Sequence, residues 1–233
     1  MHPPMVPGRC YAPLAVAGPP PARRPRRALV ITAALAATVF GVLAAMVWYH
    51  PEPVGIDRLA ARVTVDLREA PLTAVMRAFS FLGSSPAIAL QIAAIGGLVL
   101  LVRRDPRPGL WLLAAFAGAW FLSNGFKAIL DRPRPDAGLV GSTGAAFPSG
   151  HATQGAAYFV MLALVLAAVL PRPWRGPASV AAVSLGVLSG LSRIYLGVHW
   201  LTDVAGGFAL GLMWLAVLVA VVRGPSPAGA LPL

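Results

Sequence analysis

At 233 residues the chain is 58% hydrophobic and 12% charged, with a mean hydropathy of +0.74, whereas soluble domains are about 45–50% apolar and about 25% charged. That balance describes an integral membrane protein; the single cysteine, Cys10, excludes an internal disulfide framework and a cysteine-based metal site. The net charge of +11 does not call for a nucleic-acid partner, because the arginines stand in short clusters beside apolar runs, as the positive-inside rule expects of cytoplasmic loops.

Residues 1–27 are rich in Pro, Ala and Arg without periodicity and read as a disordered basic tail. The apolar stretch 28–48 exceeds the roughly 7–15 residues of a signal-peptide core and lacks a small-x-small exit, so it is expected to stay as a membrane anchor. Between 49 and 85, Ile56, Leu59, Val63 and Leu67 recur three or four apart among charged residues, which predicts an amphipathic helix lying in the membrane interface. A solvated loop with a few buried aliphatics is the plainer alternative. Gly83-Ser84-Ser85-Pro86 marks a break. Further apolar runs follow at 86–102, 109–126, 152–170, 177–196 and 200–222, each close to the roughly 20 residues of a spanning helix. The expected fold is therefore an all-α bundle of six transmembrane helices over 28–223, with a short tail at 224–233.

Three polar segments interrupt this pattern, each at the edge of an apolar run. The first is Lys127-Ala-Ile-Leu-Asp131-Arg132-Pro133-Arg134-Pro135. Lys127 falls in the last turn of the third span, and the two Arg-Pro steps force an extended chain after it. A lysine point charge and an arginine fork held in this way suit a phosphoryl group; a basic anchor for lipid headgroups would use the same residues. Asp131, Arg132 and Asp136 read as a local salt-bridged loop without a catalytic role.

The second segment, Phe147-Pro148-Ser149-Gly150-His151, stands directly before the fourth span. A helix start with Pro, Ser and Gly exposes backbone N–H groups where the helix dipole favours an anion, although Ser149 would equally serve as an ordinary N-cap. The third segment is Ser192-Arg193-Ile-Tyr-Leu-Gly-Val-His199-Trp-Leu-Thr-Asp203. His199 and Asp203 are four apart, one helical turn on the same face, so the carboxylate can orient one imidazole nitrogen and leave the other free to attack. An acid at the mouth of a span is costly, about 2.5–3.5 kcal/mol at the bilayer centre and less near its edge, and asks for a functional reason. A structural His–Asp or Arg–Asp pair between the last two spans is the alternative.

If the six spans alternate, one side of the membrane holds eleven basic residues and one acid, and the other holds eight basic residues and seven acids. The first side is assigned to the cytoplasm with both termini, which places all three polar segments on the extracytoplasmic face. Gly186-x3-Gly190 and Gly207-x3-Gly211 fit close helix packing, within the bundle in preference to between protomers, and Tyr195 and Trp200 read as interfacial belt residues, with a place flanking a lipid entrance as the alternative.

The three segments, in this order and spacing, resemble the type 2 phosphatidic acid phosphatase superfamily of integral membrane lipid phosphatases, over about residues 120–210. The resemblance implies a metal-independent phosphomonoester or diphosphate hydrolase of the inner (plasma) membrane that works through a phosphohistidine. It makes His199 the nucleophile, Asp203 its orienting carboxylate, and His151 first the general acid and then the base for water. Lys127, Arg134, Ser149, Gly150 and Arg193 would hold the phosphoryl oxygens, with no cofactor and no metal. A bell-shaped pH profile is expected, because the nucleophile must be neutral and the acid protonated. The partners expected are a lipid phosphate and the bilayer: undecaprenyl diphosphate first, then phosphatidic acid or phosphatidylglycerol phosphate. A small transporter or flippase fits less well, since the ionisable groups cluster at one face instead of along the depth of the spans and no internal repeat is visible.

Overall fold

The computed structural model describes residues 23–222, which form helices, with the longest connection at residues 130–149 between the fifth and sixth, and no strand among the described residues. Residues 1–22 of the expected basic tail and the whole expected tail at 224–233 lie outside them, and helix α1 (Arg23–Tyr49) begins inside the stretch 1–27 read as tail. The order continues with α2 (Gly55–Asp66), α3 (Ala70–Leu82), α4 (Ser85–Arg103), α5 (Arg107–Ile129), α6 (Gly150–Gln154), a π-helical turn over Gly155–Phe159, α7 (Val160–Val169), α8 (Arg172–Tyr195) and α9 (Leu201–Val222). Among the described residues six helical segments are long and apolar enough to cross a membrane: α1, α4, α5, the α6–α7 unit, α8 and α9. The chain is thus the expected all-α, six-span membrane protein.

Helix starts follow local chemistry. Pro71, Pro86, Pro108 and Pro173 each occupy the first or second position of a helix, where the missing N–H has no intrahelical partner to lose. α8 starts at Arg172, five residues before the expected boundary, and Pro177 lies inside it. Pro177 costs α8 only a bond to the carbonyl of Pro173 in the opening turns.

With alternating spans, the ends of α3, α5 and α8 and the starts of α6 and α9 gather at one end of the bundle. The arginines at 103, 104, 107, 172 and 175 gather at the other, beside a cavity of about 560 Å³ lined by Val99, Arg103, Trp111, Met161 and Val165, among others. The main core of the bundle is aliphatic and aromatic: Ile88, Leu112, Tyr158, Phe159 and Leu215 belong to one buried cluster. A second cluster of Phe40, Val47, Phe147 and Leu210 seats α1 against α9 under the polar segments.

Lipid tails are as apolar as leucine, so close helix contact depends on small residues. Gly155 in the π-turn faces Gly186 of α8 so closely that a Cβ at either would sit 2.5 Å from the other's carbonyl oxygen. A Cβ at Gly207 would lie 2.6 Å from the Ser149 carbonyl, and one at Gly211 would strike that of Thr153. The glycine pairs therefore pack inside the bundle, and those on α9 hold it against α6.

The 49–85 stretch is two helices. Ile56, Leu59 and Val63 on α2 and the following Leu67 are all exposed, while Asp57 on the opposite face is fully buried. The fold thus turns the apolar side of α2 outward and its one acidic first-turn residue inward.

Candidate active site

His199 lies in the short connection between α8 and α9, where Gly197 takes a left-handed φ of +67° that lets the chain reverse. The imidazole is buried. Its Nδ1 is 3.5 Å from Asp203 Oδ2 and has no nearer partner, a long contact of the kind that tightens when a substrate binds. On the other edge, Nε2 is 3.2 Å from Arg134 Nη1. Guanidinium nitrogens only donate, so Nε2 accepts and the ring proton belongs on Nδ1, facing the carboxylate. Burial pushes the His199 pKa down to about 4, with Arg134 and Lys127 pushing the same way and Asp203 opposing them. The ring is therefore neutral at ordinary pH, with its lone pair on the Arg134 side.

Arg134 is held by all five of its N–H groups. Nε donates to the Gly144 carbonyl, Nη2 to those of Thr143 and Ala145, and Nη1 to that of Val198 and to His199. Lys127 Nζ donates to the same Ala145 carbonyl at 3.0 Å. The two cations thus meet on one loop oxygen. Ser149 caps α6 from an extended conformation but makes no side-chain capping bond; its Oγ is buried without a partner. Its backbone N–H donates to the Asp203 carbonyl at 3.0 Å, which ties the start of α6, and Gly150 with it, to the first turn of α9.

His151 and Arg193 are brought together by a residue that sequence reasoning missed. Ser80, near the end of α3, offers its carbonyl to His151 Nε2 at 3.1 Å and its hydroxyl to Arg193 Nη1 at 2.5 Å. A carbonyl only accepts, so His151 carries a proton on Nε2. Arg193 Nε is buried and unpartnered. A serine in the mostly apolar stretch 72–82 is the only local signal for it.

Two expectations are corrected. Arg132 does not pair with Asp131 or Asp136, which are exposed. It is 1% exposed, with Nη2 2.7 Å from Asp57 Oδ2 and Nη1 2.6 Å from Asp203 Oδ1. Two buried carboxylates on α2 and α9 take the place of its sequence neighbours as partners of Arg132. Tyr195 is no belt residue: it is buried, and its hydroxyl meets Thr73 Oγ1 at 2.9 Å and the Leu67 carbonyl at 3.3 Å. Trp200 is half-buried and donates to the Pro133 carbonyl at 2.9 Å.

Residues 108–225 match the PAP2 superfamily. The chain is 35% identical over 160 residues to phosphatidylglycerophosphatase B of Bacillus subtilis, covering 67% of this chain and 78% of that protein. It is 26% identical over 140 residues to an undecaprenyl-diphosphatase of Sulfolobus acidocaldarius, covering 57% and 64%. The fold superposes on the crystal structure of the transmembrane PAP2 type phosphatidylglycerolphosphate phosphatase from Bacillus subtilis with a TM-score of 0.77 at 30% identity, over 84% of this chain and 98% of that one. The matched stretch contains every polar segment that converges here, and with six spans around it the chain belongs to the PAP2 superfamily as a membrane lipid phosphatase, a hydrolase of phosphoric monoesters or diphosphates.

Proposed function

We propose that the enzyme transfers the terminal phosphoryl group of a lipid to His199 and then to water. His199 Nε2 attacks phosphorus and the bond to the leaving oxygen breaks. That oxygen takes a proton from His151, which, with Nε2 held by Ser80, delivers it from Nδ1. Water then attacks phosphorus and gives a proton to His151 while the bond from phosphorus to His199 Nε2 breaks, and inorganic phosphate leaves. The phosphoryl group takes the place of the present contact between Arg134 Nη1 and His199 Nε2, so that its oxygens meet the guanidinium as phosphorus meets the nitrogen. Lys127, Ser149 Oγ, the Gly150 amide and Arg193 Nε complete the cradle. Fixed side-chain cations supply the charge stabilisation that dominates phosphoryl transfer.

The observation that carries this reading is the orientation of His199, with one nitrogen toward a buried carboxylate and the other toward an arginine. The favoured substrate is phosphatidylglycerol phosphate, supported by the Bacillus subtilis relative and its structure. Undecaprenyl diphosphate, first in the expectation from sequence, is the second reading and rests on the Sulfolobus relative. The charge balance of the loops supports a site on the extracytoplasmic face of the inner membrane with both described ends of the bundle inside, and the outward apolar face of α2 supports a helix resting in the lipid interface.

The test is phosphate release by purified protein in detergent with excess EDTA, from phosphatidylglycerol phosphate, undecaprenyl diphosphate and phosphatidic acid, beside His199→Ala. Chelator-resistant release that disappears in the variant is expected, fastest with phosphatidylglycerol phosphate. Release that survives in His199→Ala would remove the phosphohistidine assignment, and a different order among the lipids would remove the substrate assignment alone.

A further inference from the structure

Asp57 stands on the charged side of a loop helix in the sequence, and the fold buries it completely. Oδ1 accepts from the Thr202 N–H at 2.9 Å, and the Thr202 hydroxyl lies 2.9 Å from both carboxylate oxygens. Oδ2 accepts from Arg132 Nη2 at 2.7 Å and from the Val54 N–H at 3.3 Å. Arg132 continues the line: Nε donates to the Pro51 carbonyl at 3.1 Å, and Nη1 to Thr202 Oγ1 at 2.7 Å and to Asp203 Oδ1 at 2.6 Å. Asp203 has its second oxygen toward the Trp200 N–H at 2.8 Å and toward His199. A chain Asp57–Arg132–Asp203–His199 thus runs from α2 to the reactive ring, and its first three side chains are 0% exposed.

The charges along this chain decide what Asp203 can do. Arg132 alone would neutralise Asp203, and inside protein such pairing acts with little solvent screening. The carboxylate would then do little to stabilise the positive charge that develops on His199, protonated at Nδ1, as Nε2 bonds to phosphorus. A second carboxylate on the far side of the guanidinium restores one net negative charge to the network.

We propose that Asp57 is a positioning residue for the His199–Asp203 pair: it holds Arg132 in place and offsets its charge, so that Asp203 keeps its electrostatic hold on the imidazole. This rests on the reading of His199 as the nucleophile. It assigns α2, outside the three signature segments, a part in the chemistry. It also explains why an arginine can lie against the orienting carboxylate without disabling it.

A charge-restoring double variant separates this role from a merely structural one. Asp57→Asn keeps the shape and removes the charge; kcat is expected to fall roughly 10- to 100-fold, as when outer partners of active-site groups are removed, with KM little changed. Adding Arg132→Gln removes the charge left uncompensated while keeping an amide donor for Asp203, and kcat is expected to recover most of the loss. Each variant is purified in the same detergent and checked for monodispersity and thermal unfolding, beside His199→Ala. An unchanged kcat in Asp57→Asn, or a double variant as slow as the single one, overturns the proposal while loss of activity in His199→Ala leaves the nucleophile standing. Activity retained in His199→Ala instead removes the reading on which the proposal rests, and the proposal with it. An Asp57→Asn protein that does not fold beside a folded, active double variant supports the charge offset; if neither folds, Asp57 serves the fold and the proposal fails.

Discussion

In the proposed mechanism the state of the His199 imidazole sets the acid side of the pH profile. His199 is pushed down to about 4, first by burial, then by Arg134 and Lys127 against the pull of Asp203, so it stays neutral and nucleophilic well below the 6.5 ordinary for histidine. In single-turnover experiments the rate of phosphoenzyme formation should therefore show no loss attributable to the nucleophile near pH 6.5, and its acid limb should fall as pH approaches about 4. An acid limb centred on 6.5 would contradict the buried, neutral ring. Stability moves in the same direction. Between 6.5 and about 4 the unfolded chain binds a proton at this position and the folded one does not, so the contribution of neutral His199 is whole above that window and is lost as pH falls through it. Thermal unfolding in detergent should decline more steeply over this window in the wild type than in His199→Asn.

At the scale of elements, two contacts set the geometry of the pocket. The first is the seat of α9 on α6 through Gly207, whose missing Cβ leaves room for the Ser149 carbonyl and the Ala152 methyl. Gly207→Ala must push the helices apart, because the nearest atom is backbone; a loss of about 1–3 kcal/mol is expected for such overpacking. The same shift moves His199 and Asp203 away from Ser149, so activity should fall together with the melting temperature in detergent; a Gly207→Ala protein of wild-type stability would show that the helices part without cost. The second contact belongs to the proposal that α2 rests on lipid. Leu59 and Val63 point outward from α2 while Asp57 on its inner face reaches the site, so under that proposal the seating of α2 bears on the chemistry. Leu59→Gln/Val63→Gln should slow turnover of a long-chain lipid phosphate in vesicles and spare a short-chain, soluble one in detergent. Equal slowing of both would argue that this face serves only the fold.

At the scale of the whole molecule, the spans and the order of the polar segments were legible because membrane solvation writes them as runs of about 20 apolar residues and because Lys127, His151, His199 and Asp203 stand out where charge is costly. Pairings between segments distant along the chain were not legible: nothing local says that Arg132 ignores Asp131 and reaches back to Asp57, or that Ser80 serves both His151 and Arg193. The orientation of the bundle rests on a different kind of reading, the asymmetry of eleven basic residues and one acid on one side against eight and seven on the other. With Cys10→Ser as background, single cysteines at Gly141 and Arg104 probe the two ends, both exposed and on opposite sides of the expected membrane. A Cβ at Gly141 meets nothing within 4 Å, so the probe there should not disturb the site. A membrane-impermeant maleimide should label Gly141→Cys in intact spheroplasts and Arg104→Cys only after permeabilisation. The reverse pattern would place the phosphatase site in the cytoplasm, where it would meet newly made lipid phosphates before they crossed the membrane and would leave the basic loops facing outward, against the rule that assigned them.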